Sequence, residues 1–166
     1  MAIAIFVSTD DVKRFTALNG NVDVDKFIQF VKIAQDIYIQ NYLGTKLFNK
    51  ISEDILASDL QEPYLSLVND YIKPMTIQWT MVEYLPYASY IIGNKGLYKH
   101  GAENSQTVDK SEVDSLIEKA RDTAQHYTRR FIDYMCFNSS DFPEYLSNSN
   151  NDVYPDKNAD YGGWYL

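Results

Sequence analysis

The feature that most constrains this chain is the stretch from Tyr71 to Gly96, where a helical apolar pattern contains two prolines. Its apolar residues recur every three to four positions, which predicts a helix with a buried stripe. A proline inside a helix removes one backbone hydrogen bond and clashes with the preceding turn. We therefore expect helix kinks at Pro74 and Pro86, followed by a loop that begins at Gly93.

Two interpretations of this bent segment stay open at the level of sequence. In the first, the helix wraps around the protein's own core, or two helices meet at a tight join. In the second, the curvature is shaped by a neighbouring subunit. Apolar residues on a second side of another predicted helix (Ile33, Ile37 and Ile39) raise the same question, because such a helix is either central or lies at a subunit interface.

The other helices are predicted from their caps and their apolar periodicity. Glycine at the end of a helix and serine, threonine or aspartate at its start are the signals used. The predicted segments are a short helix capped by Ser8 or Thr9, a long helix from near Asp23 to Leu43, a third helix capped by Thr45 after Gly44, a fourth helix starting at Pro63, and a last helix capped by Ser111.

These segments predict an all-α fold, a helical bundle of about four to five helices. The bundle is expected to occupy residues 1–140, with a long loop at residues 93–109 before the last helix and an extended aromatic C-terminal arm at residues 141–166. A loop of more than ~12 residues is usually functional or disordered. Whether residues 2–7 form a strand stays open.

The arm is rich in aromatic residues, which disordered tails lack. Tyrosine and tryptophan combine an apolar ring with a polar group and are enriched at interfaces. We expect the arm to dock on another chain, with the alternative that it folds back on its own bundle. The candidate interface residues, including two from the long loop, are Leu97, Tyr98, Phe142, Tyr145, Tyr154, Tyr161, Trp164, Tyr165 and Leu166.

The charge balance argues against electrostatic binding of nucleic acid. The net charge is −8, whereas phosphate binding needs clustered lysine and arginine. The pair Arg129 and Arg130 lies in a helical pattern and is interpreted as a solvated face. No apolar run reaches the ~18 residues of a membrane span, so no membrane partner is expected. The single cysteine, Cys136, excludes an internal disulfide framework.

The sequence contains few groups that indicate catalytic chemistry. The chain has two histidines, His100 in the predicted loop and His126 in the last helix. Asp122 and His126 are spaced as a pair on one helix face, but no third group completes a site. We therefore expect no enzyme activity, no metal site and no cofactor.

The order of several segments nevertheless resembles a known family. The segments are "YLGTKLFNKI", "DYIKPMTIQWTMVEYLPYA", "NKGLYKHGAENS" and "RFIDYMCFNSSDFPEY". Together they resemble head–tail connector (adaptor) proteins of tailed phages and prophages of Bacteroidetes, including the crAss-like phages. The resemblance extends over essentially the whole chain and is a pattern of landmarks without a catalytic signature.

This resemblance implies a virion protein that is assembled in the host cytoplasm. About twelve copies would form a homo-oligomeric ring between the portal protein and the tail, with other tail or ring proteins below. DNA would pass through the ring without specific binding, and acidic residues among 103–122 are the candidates for the channel wall. Three alternatives stay open: a tail-completion or stopper protein, a helical protein-binding module unrelated to phages, and an enzyme that uses Asp122 and His126.

Overall fold

The computed structural model describes residues 2–18, 23–88, 90–94, 96–99, 109–147 and 152–159, and the predicted all-α bundle is confirmed. The helices are α1 (Thr9–Phe15), α2 (Val24–Ala34), α3 (Gln40–Leu43), α4 (Thr45–Ala57), α5 (Tyr64–Leu67), α6 (Lys73–Tyr84), α7 (Lys110–Asn138) and α8 (Pro143–Leu146). Two π-helical turns (Gln35–Ile39 and Val68–Ile72), two 3₁₀ turns (Leu85–Tyr87 and Ser139–Asp141) and the strands β1 (Tyr90–Gly93) and β2 (Gly96–Lys99) complete the description.

Helices α2 and α3 form one continuous helical rod, because the π turn between them keeps right-handed helical dihedral angles at both junctions. The side chain of Asp23 caps its start by accepting a hydrogen bond from the amide of Asp25. Gly44, with a φ of 75°, ends it. The prediction of one helix from Asp23 to Leu43 is therefore confirmed, and so is the Ser8 cap of α1.

Helices α5 and α6 also form one rod, and it runs past Pro74 without a break. The π turn lies immediately before this proline, and the amide of Lys73 bonds to the carbonyl of Val68, five residues earlier. A π turn inserts one extra residue, which is one way for a helix to accommodate a residue that has no N–H. The sequence anticipated a disturbance at Pro74; the size of any bend there remains a prediction.

Pro86 lies in the 3₁₀ turn that ends α6, and the chain then forms a β-hairpin. The strands are antiparallel, and Gly93 pairs with Gly96 next to the turn. The sequence interpretation was wrong here, because it continued the helix to Gly93 and placed a loop over the second strand. The remainder of the predicted loop, residues 100–108, lies outside the described residues.

The core lies between the α2–α3 rod, α6 and α7, and Trp79 is at its centre. The ring of Tyr38 stacks on the indole at 3.9 Å between centroids, with planes 10° apart. On α7, the hydroxyl of Thr128 accepts a hydrogen bond of 3.0 Å from the indole Nε1. One side chain therefore contacts two neighbouring elements while remaining only 1% exposed.

The start of α7 is capped by Asp109, so the predicted Ser111 cap is wrong. The carboxylate of Asp109 accepts a hydrogen bond from the Lys110 amide, and the side chain of Glu112 accepts one from the Asp109 amide. This reciprocal arrangement is a capping box, which satisfies amides that the first helical turn leaves free.

Residues 2–8 do not form a strand, but a buried glutamine holds them against the bundle. The amide nitrogen of Gln35 donates to the carbonyl of Ala4 at 3.0 Å, and its oxygen accepts from the amide of Phe6 at 2.8 Å. Gln35 is 1% exposed. One side chain thus supplies two backbone hydrogen bonds that a neighbouring strand would otherwise supply.

We predict that Gln35→Ala lowers the free energy of unfolding by about 2–4 kcal/mol, because it leaves two buried backbone groups without partners. The control is Gln29→Ala on the exposed face of the same helix, which should change stability by less than about 0.5 kcal/mol. Urea denaturation measures both. Equal effects of the two substitutions would show that the Gln35 hydrogen bonds do not hold the N-terminal segment.

Candidate functional site

The candidate site is the corner between α3 and α4, where residues 152–159, here called the strap, lie against the bundle. The corner residue Gly44 adopts φ 75° and ψ 152°, a conformation that is essentially restricted to glycine. Its amide bonds to the carbonyl of Gln40, and its carbonyl accepts from the amide of Phe48. The two helices therefore follow one another with a single residue between them.

Thr45 is the main anchor of the strap. Its amide bonds to the carbonyl of Val153 at 3.0 Å, and its hydroxyl accepts from the amide of Val153 at 3.1 Å. The same hydroxyl donates to the carboxylate of Asp152 at 2.8 Å and accepts from the side chain of Gln40 at 3.1 Å. The predicted role of Thr45 as a helix cap is wrong, because its side chain holds the strap and makes no capping bond.

The strap continues past the corner along α3. The amide of Asp156 bonds to the carbonyl of Asn41 at 2.9 Å, and Pro155 is buried. A Cβ atom placed on Gly44 would lie 2.6 Å from the Cγ of Pro155, much closer than side chains tolerate. Glycine is required at position 44 both by its backbone conformation and by the proline that packs on it.

Phe142 and Tyr145, two of the predicted interface residues, belong to the protein's own core. Phe142 is fully buried and its ring packs edge-on against Tyr64, with centroids 5.4 Å apart. Tyr145 is 3% exposed and packs edge-on against Phe131. The expectation that these two rings contact another chain is corrected, since the chain itself covers them. This first part of the arm follows the alternative in which the arm folds back.

Among the candidate interface residues of the arm that the structure describes, Tyr154 is available for a partner, because its side chain is 64% exposed on the strap. Leu97 and Tyr98 lie in β2, facing Ile92 and Ile91 in the strand register, and their side chains lie outside what the structure describes. Tyr161, Trp164, Tyr165 and Leu166 also lie outside the described residues. For all of these residues the interface role stays a prediction.

The described part of the chain offers no assembled metal site. It holds no group of three or more histidine, cysteine, aspartate or glutamate side chains that could bind an ion. His126 and Asp122 are exposed on α7, one turn apart, and His126 packs against the ring of Tyr127. His100 lies outside the described residues. Among the helices that are described, none is long and apolar enough to span a bilayer.

The hydrogen bonds at the site attach the strap to the bundle. The strap is bound through backbone and hydroxyl groups over more than one hundred residues of sequence separation. Sequence reasoning identified the Gly44 corner but missed its partner. The signal available was the short stretch of residues 152–155, and nothing in its sequence indicates the helix corner to which it binds.

Comparison with known proteins identifies one family. A family model described as "Family of unknown function (DUF6712)" matches residues 39–155, more than two thirds of the chain. The matched range begins in the π turn before the Gly44 corner and ends at Pro155, so it contains both sides of the strap contact. No curated protein and no solved structure matches the chain.

We predict that Gly44→Ala destabilises the full chain by about 2–5 kcal/mol, the sum of backbone strain and the collision with Pro155. In a chain that ends at residue 151 the collision is absent, so the same substitution should cost only the strain, about 1–3 kcal/mol. Thermal or chemical denaturation of the four proteins measures both costs. Equal costs in the two backgrounds would contradict the packing of Pro155 on the corner.

A second prediction concerns Tyr145, whose pKa is raised to about 12, first of all by burial of its hydroxyl. The pKa of tyrosine in an unfolded chain is about 10. The contribution of the neutral Tyr145 hydroxyl to the free energy of unfolding is therefore complete below pH 10 and is lost as the pH rises towards 12. Tyr145→Phe should abolish this part of the decrease in the free energy of unfolding at alkaline pH, which amounts to about 2–3 kcal/mol. Urea denaturation between pH 8 and pH 12 tests it.

The comparison for this experiment is Tyr64→Phe. The Tyr64 hydroxyl donates to the carboxylate of Glu144 at 2.6 Å, whereas no described residue accepts from Tyr145. Near pH 8 the free energy of unfolding should therefore fall by about 1–3 kcal/mol in the Tyr64 variant and by less in the Tyr145 variant. An unchanged alkaline profile in Tyr145→Phe would contradict the assigned cause.

Proposed function

We propose that this chain, which belongs to the DUF6712 family, is a structural virion protein that forms a ring between the portal and the tail of a tailed phage. The observation that carries the proposal is the exposure of large apolar side chains on several separate elements. They are Phe15 on α1, Ile33 and Ile37 on the α2–α3 rod, Tyr87 in the 3₁₀ turn after α6, Tyr90 in β1, Phe137 on α7 and Tyr154 on the strap.

A ring subunit needs exposed apolar side chains on several of its elements. In a closed ring each copy contacts two neighbours through two different surfaces, so apolar residues are required on more than one side. Of the three isoleucines singled out in the sequence, Ile39 is fully buried, whereas Ile33 and Ile37 are 36% and 48% exposed. One helix therefore contributes to its own core and leaves apolar surface for a neighbour, the combination expected at a subunit interface.

The hairpin is suited to reaching a second component. Its two strands pair with each other, and none of the described helices packs broadly against them. The 3₁₀ turn at Pro86 sets the direction in which the chain leaves α6. A hairpin in this position is suited to contact the portal on one side of the ring or tail proteins on the other side.

The acidic surface fits a passage for DNA. Asp114, Glu118 and Asp122 are exposed on the first half of α7, and none of them has an ion-pair partner within the described residues. Unpaired carboxylates repel phosphates, which lets a duplex move through a ring without adhering to it. These residues belong to the stretch 103–122, whose acidic residues are the candidates for the channel wall.

Immunogold electron microscopy of the phage particles that carry this protein tests the proposal. Antibodies against the chain should label one vertex per particle, at the junction of head and tail, and averaged images should place a ring of about twelve copies there. Label on the capsid shell, at the tail tip, or absent from particles would contradict it. Particles that lack the protein and retain a portal ring but no tail would agree with a connector.

The hairpin supplies a further prediction. Pro86→Ala restores a backbone donor and allows α6 to extend, so the isolated subunit should keep its stability within about 1 kcal/mol or gain slightly. Assembly should decrease, because the hairpin leaves the bundle in another direction. The matched control is Pro143→Ala at the first position of α8, remote in sequence from the hairpin. Denaturation and particle yield are the measurements, and normal assembly of Pro86→Ala would contradict the role of this turn.

A further inference from the structure

Phe137 is the most exposed of the large apolar side chains in the described part of the chain, at 88%. It lies in the last turn of α7, and the preceding stretch of that helix is packed in the core through Phe131 and Met135. An exposed phenylalanine on a rigid, well-packed helix is an unfavourable surface feature unless something covers it. Two exposed carboxylates, Asp133 and Asp141, lie four residues before and after it.

Elsewhere on the molecule a pocket of about 380 Å³ lies between α1, the start of α6 and α7. This volume is at the lower end of the range in which proteins bind small ligands, about 300–1,000 Å³. Aromatic and apolar groups form much of its wall. The residues that line it are Asp11, Phe15, Asn69, Lys73, Pro74, Ile77, Gln78 and Tyr127.

The mouth of this pocket complements the surroundings of Phe137 in charge. Lys73 lines the pocket and has no ion-pair partner within the described residues. The guanidinium of Arg14 lies 5.7 Å from the centre of the Phe15 ring, which is part of the wall. The one carboxylate of the wall, Asp11, already accepts a hydrogen bond from the Ser8 hydroxyl. The ammonium group of Lys73 is therefore the group in the pocket wall that can pair with a carboxylate beside Phe137.

One chain cannot fill its own pocket with Phe137. Tyr127, in the pocket wall, and Phe137 are ten residues apart on α7, which corresponds to about 15 Å along the helix and about 80° around it. Phe137, here called the projection, and the pocket therefore lie on different parts of the subunit surface. Each copy presents one projection and one pocket, which is the requirement for a heterologous contact that can close into a ring.

We propose that Phe137 of one copy inserts into the pocket lined by Phe15, Pro74 and Tyr127 of the next copy, with Asp133 beside Lys73. The proposal rests on the ring function proposed above and names one of its subunit contacts. It also accounts for the position of the pocket beside Pro74, where the π turn modifies the surface of the α5–α6 rod.

The first experiment mixes two variants of the full chain. Phe137→Ala removes the projection, and Asn69→Trp fills the pocket from an exposed position in its wall. Each variant alone should associate about thirtyfold more weakly than the wild-type protein, as expected when a central contact worth about 2 kcal/mol is lost. An equimolar mixture should form heterodimers and nothing larger, since only one projection and one pocket remain. Sedimentation velocity and native mass spectrometry resolve these species.

The matched control is Leu116→Ala, which removes a 54% exposed apolar side chain from the other end of the same helix. It should leave association unchanged. Phe137→Ala that assembles like the wild-type protein would overturn the proposal. So would a mixture of the two variants that forms oligomers of wild-type size.

A charge exchange provides the second test. Lys73→Glu and Asp133→Lys should each weaken association by roughly two- to fivefold, the range of exposed ion pairs, and the double variant should recover most of the loss. Independent, additive losses would show that the two side chains do not meet.

Cross-linking through Cys136 locates the contact directly, because it is the chain's single cysteine, is exposed, and is adjacent to Phe137. A benzophenone maleimide attached there should cross-link, in mixtures with isotope-labelled protein, to pocket peptides of the other copy. Absence of such products at about 1 mM protein, a concentration that detects millimolar affinities, overturns the contact.

The outcomes separate this contact from the ring itself. Rings that form normally from Phe137→Ala would leave the ring function in place and remove this contact. A reciprocal dimer held by Phe137, without larger species and without label at the head–tail junction, would retain the contact and remove the ring function.

Discussion

The arrangement of the bundle depends on the buried indole of Trp79. Its ring is covered by Tyr38 on one side, while its N–H must find an acceptor because a buried unpaired donor is costly. Thr128 on α7 provides that acceptor and donates its own proton to the carbonyl of Ala124 at 2.8 Å. The rotation of α7 about its axis is thereby fixed relative to α6, and with it the face of α7 that remains outside the core. Which side chains of α7 remain exposed therefore depends on the packing of this one side chain.

The sequence predicted the elements whose signals are local. The rod that begins after Asp23 and ends at Gly44 has its cap, its period and its terminating glycine within the segment itself, and all three are recovered in the structure. The hairpin was missed because two strands of four residues are too short to show an alternating pattern, and their glycines are also typical of a loop. Local reasoning works where the stabilising partner is a near neighbour in the chain.

The contact between the strap and the Gly44 corner could be predicted only in part, because its two sides are distant in the sequence. Thr45 after a glycine reads as a helix cap, but its hydroxyl bonds to Asp152, 107 residues away. Phe142 and Tyr145 read as interface residues, because aromatic content does not tell whether a ring is covered by its own chain or by another. For the two aromatic rings the composition indicated correctly that they need partners. The identity of the partner is a property of the tertiary structure.

The strap on the Gly44 corner has a consequence for how the protein is made. Residues 40–45 are synthesised more than one hundred residues before the segment that completes their hydrogen bonds, and every described helix precedes that segment in the chain. Contacts between such distant parts of a chain form late, because the entropy of closing the intervening loop must be overcome first. Until then the corner between α3 and α4 exposes the backbone groups of Thr45 and Asn41 to water. Translation that stops short of Asp152 therefore yields a chain whose corner lacks these hydrogen bonds, and such a chain is a natural target of chaperones and proteases.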